Sequence, residues 1–268
     1  MEYPQPLMIE KVKNVALADE RISAVLMYGS FIKGEGDQYS DIEFYIFCRR
    51  EIDHQQWVTD IRPIRMFFQN EFGTEVAIFD NLVRGEFHFA PIEEIEVIKS
   101  WQGLTSFEYA ARMILVDKDK RLDEVLDPIP KDRPRHDSAD HILWLGQSLL
   151  NNLLMIKNLI LRGEYAHAQQ CFQYPQKYLA WLIRLADNAD NHWESPTKKL
   201  EQEISPAWYE AYAAAAPDLT LTAELMPARL DSAVQLSRKL FAQLNLPDDL
   251  TSLLEDIDKY PQAEQSAT

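Results

Sequence analysis

The sequence predicts an α+β protein in two parts: a sheet-and-helix domain over residues 1–133, then an all-helical domain over residues 134–268. Three observations carry this expectation. Between Ile22 and Val116, short apolar runs rich in β-branched and aromatic residues alternate with turn residues, the texture of a sheet. The segment Asp127–Pro134 then holds Pro128, Pro130 and Pro134, and proline disfavours both helix and strand interiors, so the chain is punctuated there. Beyond it the apolar residues recur at helical spacing.

The elements follow in order. Met8, Ile9, Val12, Val15 and Ala16 recur at three- and four-residue spacing, which predicts a short first helix closed by Asp19-Glu20-Arg21. Ile22–Tyr28 is a buried strand ending at Gly29-Ser30, and Ile42–Phe47 is a second. Arg65–Phe68 and Thr74–Phe79 are strands around the turn residues Asn70–Gly73. Glu86–Phe89 is a shorter strand, and Met113–Val116 is the last of the sheet. In the second part, Ser138–Arg162 is one long helix with Ser138 as its N-cap and Gly163 just past its end. Glu164–Asp187 continues as one or two helices with a break or kink at Pro175. Trp208–Ala216 and Arg229–Leu244 are further helices, and Pro261–Thr268 is a frayed tail.

Composition narrows the function. The net charge of −16 argues against a long nucleic acid as partner, which requires a basic footprint. It leaves open a nucleotide bound through a metal ion. The two cysteines, Cys48 and Cys171, stand far apart and outside any zinc-type spacing. Cys48, at the end of an apolar strand, reads as a small buried hydrophobe. The N-terminus lacks the basic and apolar regions of a signal peptide, and the most apolar run, Ile142–Ile160, is too polar for a membrane span. The expectation is a reduced cytoplasmic protein. Trp144, Trp181 and Trp193 are expected in the core or an interface.

The informative window is Tyr28–Glu43. The chain has only eight glycines, and Gly29, Gly34 and Gly36 fall within eight positions of one another. Glycine is concentrated where a backbone must bend or approach something closely. Gly29-Ser30 at a strand end, opening a short helix, offers backbone N–H groups and a hydroxyl to a phosphate. Ten residues separate Ser30 from Asp41, and Asp41 and Glu43 stand two apart on a strand. Period-two geometry puts both carboxylates on one face, with Ile42 and Phe44 turned into the core. Two carboxylates on one face repel unless a cation sits between them, and Mg²⁺ completed by substrate phosphates is the natural guest. No P-loop motif is present.

Gly-Ser, ten residues, then Asp-x-Glu resembles the signature of the DNA polymerase β nucleotidyltransferase superfamily. The runs Met27–Phe31, Gly34–Asp37, Ser40–Phe44, Thr74–Phe79 and Arg84–Phe89, with Leu161–Tyr165 in the helical half, resemble lincosamide nucleotidyltransferases, which adenylylate a hydroxyl of lincomycin or clindamycin. The resemblance implies a polymerase-β-type domain with a mixed sheet, a C-terminal helical bundle, and an acceptor cleft between them. It implies two Mg²⁺ ions held by Asp41, Glu43 and Glu86, with a nucleoside triphosphate as co-substrate. Glu86 doubles as a candidate general base and Glu75 is the rival third ligand. Gly29 and Ser30 are expected to hold the β- and γ-phosphates, with Lys33 placed to neutralise them. His88, on the same face as Glu86, is read as structural. Family members pair through the helical half, which implies a homodimer. Two other readings share these residues: an aminoglycoside adenylyltransferase, and a nucleotidyltransferase or regulator that modifies a protein.

Overall fold

The computed structural model describes residues 3–101, 110–132, 134–215 and 248–259. The chain divides into two compact units, Met1–Pro134 and Arg135–Thr268. The expected helix Arg229–Leu244 and the tail Pro261–Thr268 lie outside the described residues.

In the first unit, helix α1 (Gln5–Ala18) begins with Pro6 in its first turn, where the missing N–H costs nothing. Its stripe of Met8, Val12 and Ala16 is buried, with Gln5 continuing the same stripe. Six strands form one sheet: β1 (Ile22–Tyr28), β2 (Ile42–Cys48), β3 (Ile64–Gln69), β4 (Glu75–Phe79), β5 (Arg84–Pro91) and β6 (Ile114–Asp117). The spatial order is β3-β4-β5-β2-β1-β6. The β2–β5 pair is parallel and all other neighbours are antiparallel, so the sheet is mixed. β1 is buried along nearly its whole length, as a central apolar strand covered on both sides should be. On β2, Ile42, Phe44 and Ile46 face the core while Glu43 and Tyr45 are half-exposed. The fully buried Phe44, Phe47, Phe79 and Phe87 anchor this core, each contributing about 1.5–3 kcal/mol of transfer free energy.

β5 runs longer than the expected Glu86–Phe89 because its parallel pairing with β2 extends from Ile42 opposite Gly85 to Cys48 opposite Pro91. Helices α2 (Ser30–Lys33), α3 (His54–Thr59), α4 (Ala110–Met113) and α5 (Leu122–Leu126) are each a turn or two long. Of these, α3, α4 and α5 and the 3₁₀ segment Ile92–Trp101 were not expected. Elements this short show little periodicity; α3 is announced only by its cap, the Asp53 carboxylate accepting the Gln56 N–H at 2.9 Å.

The described part of the second unit is helical. α6 (Ala139–Leu161) packs against α7 (Tyr165–Cys171) and α8 (Gln173–Ala186), and α9 (Leu200–Glu203) and α10 (Pro206–Ala215) follow. Ser138 caps α6, its hydroxyl accepting the His141 N–H at 3.3 Å. Gly163 ends it with φ +77°, the left-handed conformation that glycine adopts without penalty. The expected break or kink at Pro175 falls instead at Phe172. Pro175 lies in the first turn of α8, where its missing N–H is harmless, so it opens that helix. Trp144 is half-exposed, outside the core, which leaves an interface as the expected alternative for it. A further helix spans Asp248–Lys259.

Between α8 and α10 the backbone is mostly irregular, and one side chain organises it. Arg184 is fully buried. It donates to the carbonyls of Ala189, Pro196 and Lys198 at 2.6–2.7 Å and to the Glu203 carboxylate at 2.7 Å. A loop without ladder partners leaves its carbonyls to be satisfied by something, and the guanidinium fork does this. His192 approaches the other oxygen of Glu203 at 2.8 Å. Among the described residues no helix is long and apolar enough to cross a membrane.

Candidate active site

The candidate site lies at one end of β1, β2 and β5. β1 runs into Gly29, whose φ of +82° and ψ of −153° turn the chain into α2. A Cβ built on Gly29 would lie 1.5 Å from the Glu43 Oε2 atom. Glycine is favoured here because the backbone conformation disfavours a side chain, and a Cβ would push the end of the Glu43 carboxylate aside. The two halves of the Gly-Ser/Asp-x-Glu pattern therefore touch, with Glu43 resting across Gly29. We expect Gly29→Ala to destabilise the first unit by well over about 1 kcal/mol and to displace Glu43; a melting temperature equal to that of the native chain would show otherwise.

Strand register gathers the remaining groups. Glu43 stands opposite Tyr28 on β1 and opposite Glu86 on β5. Asp41 immediately precedes β2. Arg84, two residues before Glu86 on the same face, donates through one Nη to Asp41 and through the other to Glu86. Side chains of Asp41 and Glu86 are 37% and 22% exposed, and Arg84 is 39% exposed, so the group sits at the surface of the sheet with its acids partly desolvated.

The electrostatics follow from this crowding. Burial pushes the Asp41 carboxyl above the usual range; Arg84 opposes the shift and Glu86 adds to it. Burial also raises the Tyr28 hydroxyl, helped by the negative charges of Glu86 and Glu43. The His88 imidazole is held below its usual value by burial, partly countered by Glu86. His88 stacks on Tyr45 with ring centroids 4.3 Å apart, and its Nε2 lies 3.3 Å from the Thr74 hydroxyl. It is a packed, neutral ring, as expected.

Glu75, the rival third ligand, is placed elsewhere. It stands opposite Phe87 in the β4–β5 ladder, on the other face from Glu86, and pairs with His54 at 2.7 Å. Lys33 is exposed at the last position of α2, and no ion pair among the described residues ties it to the three acids. Ser30 is half-buried at the start of α2. Two groups had no place in the sequence-level site. Arg84 is one; the alternation Arg84, Glu86, His88 along one strand face was the available signal. Gln5 is the other. It is 1% exposed and its side-chain amide donates to the carbonyls of Gln38 and Ser40 at 2.9 and 3.0 Å, tying α1 to the loop that delivers Asp41.

The donor set is carboxylate oxygen, the kind that suits Mg²⁺. Among the described residues no three His, Cys, Asp or Glu side chains converge closely enough to hold a metal as they stand. A guanidinium, itself a cation, bridges Asp41 and Glu86. The acids therefore fit a cation, and one stands in for it.

Comparison with known proteins adds the following. Residues 138–259 match the family model described as lincosamide nucleotidyltransferase-like, C-terminal domain. No curated protein sequence matches the chain. Similar solved structures include an aminoglycoside 6-adenyltransferase from Bacillus subtilis, 15% identical, covering 96% of this chain and 99% of that one, with a TM-score of 0.32. They also include a nucleotidyltransferase-like protein from Exiguobacterium sibiricum, 14% identical, covering 93% of this chain and 88% of that one, with a TM-score of 0.34.

Proposed function

We propose that this chain, whose residues 138–259 match the family model described as lincosamide nucleotidyltransferase-like, C-terminal domain, is a nucleotidyltransferase that transfers AMP from ATP to a hydroxyl of a lincosamide antibiotic and so confers resistance. The observation that carries the reading is the juxtaposition of Gly29 and Glu43 with Asp41 and Glu86 at one end of the sheet. Phosphate-binding backbone and acidic side chains are brought to a single place, on a chain whose helical half matches a family of such transferases.

The chemistry is an in-line displacement. Gly29 and Ser30 hold the β- and γ-phosphates through backbone N–H groups and a hydroxyl, and Lys33, on its flexible stem, neutralises them from the edge of α2. Glu86 accepts the proton of the acceptor hydroxyl. The freed oxygen attacks the α-phosphorus, the P–O bond to the β-phosphate breaks, and pyrophosphate leaves. Asp41, Glu43 and Glu86 would hold Mg²⁺, two ions in this reading, which when bound lowers the pKa of the hydroxyl and shields the triphosphate charge. Tyr28, with its hydroxyl kept protonated by burial and by Glu86 and Glu43, forms the uncharged wall beside the acids. The half-buried acids create a negative surface suited to an amine-bearing acceptor.

We take the protein to be cytoplasmic and to act as a homodimer paired through the helical half, in keeping with exposed Leu143, Leu150 and Leu154 on α6. The decisive assay incubates the protein with Mg²⁺, ATP and a set containing lincomycin, clindamycin, streptomycin and kanamycin. Lincomycin or clindamycin should gain the mass of one AMP. Gain only on an aminoglycoside, or label only on a protein band, would replace the lincosamide assignment.

A further inference from the structure

Among the described residues, Arg84 is a charged group in the acidic end of the sheet to which the reaction assigns no role. Its position is specific. Its two terminal nitrogens reach different carboxylates, Asp41 from the loop before β2 and Glu86 two residues along its own strand. The β2–β5 register, with Ile42 opposite Gly85, brings those carboxylates within span of one guanidinium. Such a fork suits separated carboxylates better than an ammonium does. The bridge engages Oδ2 of Asp41 and Oε1 of Glu86, so the guanidinium and a divalent cation would compete for the same two carboxylates. A guanidinium left beside a divalent ion would be repelled by it. The side chain is 39% exposed and long, so it has room to leave. A bound triphosphate would bring the anionic oxygens that a displaced guanidinium requires.

We propose that Arg84 is an exchangeable counter-ion: it bridges Asp41 and Glu86 before substrate arrives, yields those carboxylates to a divalent cation, and then pairs with the triphosphate. The inference rests on the nucleotidyltransferase reading. It makes Arg84 a nucleotide-binding residue that also sets how readily the site takes up metal on its own. Metal without nucleotide must break the bridge uncompensated, whereas metal with nucleotide offers Arg84 a new partner. Uptake of the two is thereby coupled, each helping the other by the same factor.

The test is calorimetric titration of the full chain, as native protein, Arg84→Gln and Arg84→Lys. Mn²⁺ alone is titrated first, then α,β-methylene-ATP at saturating Mg²⁺. Removing the charge should tighten Mn²⁺ binding by about tenfold or more, because the competing cation is gone. The same change should weaken binding of the nucleotide analogue by about tenfold, a charge-assisted contact having been lost. Arg84→Lys, a cation without the fork, should fall between the two in both titrations. Opposite signs in one variant are the signature, since simple damage to the site weakens both. Weaker or unchanged Mn²⁺ binding in Arg84→Gln, or no Mn²⁺ binding by any of the three proteins, overturns the exchange. If the opposite shifts are found but the native protein modifies no acceptor in the assay above, the transferase reading falls and the exchange stands.

Discussion

Glu86→Gln should reduce adenylyl transfer by about 10²–10⁴-fold, the range for loss of a positioned general base. The amide is nearly isosteric with the carboxylate, so packing on β5 survives and the loss is chemical. In the proposed mechanism it cannot accept the proton of the acceptor hydroxyl, and as a neutral donor atom it would hold a cation far less well. Asp41→Asn should do comparable harm through the cation alone. The measurement is pyrophosphate release. Turnover within threefold of native in Glu86→Gln would remove Glu86 from the chemistry. Because Arg84 also contacts Glu86, the circular dichroism spectrum should be checked to be unchanged.

Arg184→Met should destabilise the helical unit by about 3–5 kcal/mol, the usual cost of removing one partner of a buried ion pair. Methionine fills much of the volume but offers no donor. The carbonyls of Ala189, Pro196 and Lys198 and the Glu203 carboxylate would lose their partner together. The irregular chain between α8 and α10 has few other ways to satisfy them. Trp193 lies in that segment and its carbonyl accepts from the Trp181 indole at 2.8 Å, so tryptophan fluorescence during urea unfolding reports the loss. A destabilisation below about 1 kcal/mol would mean that water replaces the guanidinium. The same cluster gives an acid limit. Burial opposes ionisation of Glu203, but the bonds from His192 and Arg184 win and hold its carboxyl below the usual 4.5. The stability it contributes is complete above that value and drains away as pH falls below it, through the lowered folded value. In Glu203→Gln that part of the acid transition should flatten.

Much of the fold was legible in the residues because it depends on local pattern. The run Ile22–Tyr28 has too few polar residues to be anything but a covered strand, and Ile42–Phe47 alternates well enough to place Glu43 outward and Phe44 inward. Ser138 and Gly163 bracket α6 with the chemistry that helix ends require. What failed was short or misjudged: α3 and the 3₁₀ segment carry almost no period, and Pro175, read as a break or kink, opens a helix.

The candidate site divides along the same line. Gly29, Ser30, Asp41 and Glu43 belong to one strand–turn–strand stretch, and spacing alone brings them within reach of one another. Sequence by itself therefore determined the residue types and the face that Asp41 and Glu43 share. Glu86 and Glu75 could not be separated that way, since both are single acids near strand ends. Tertiary structure separates their positions: the β2–β5 pairing sets Glu86 opposite Glu43, and the β4–β5 ladder turns Glu75 to the other face toward His54. Arg84 between Asp41 and Glu86, and Arg184 among the carbonyls of its loop, are likewise matters of tertiary structure. A long cationic side chain has many acids and carbonyls it could reach. Its partner is chosen by strand register and burial, which arise only when distant segments pack, and no local pattern encodes that choice.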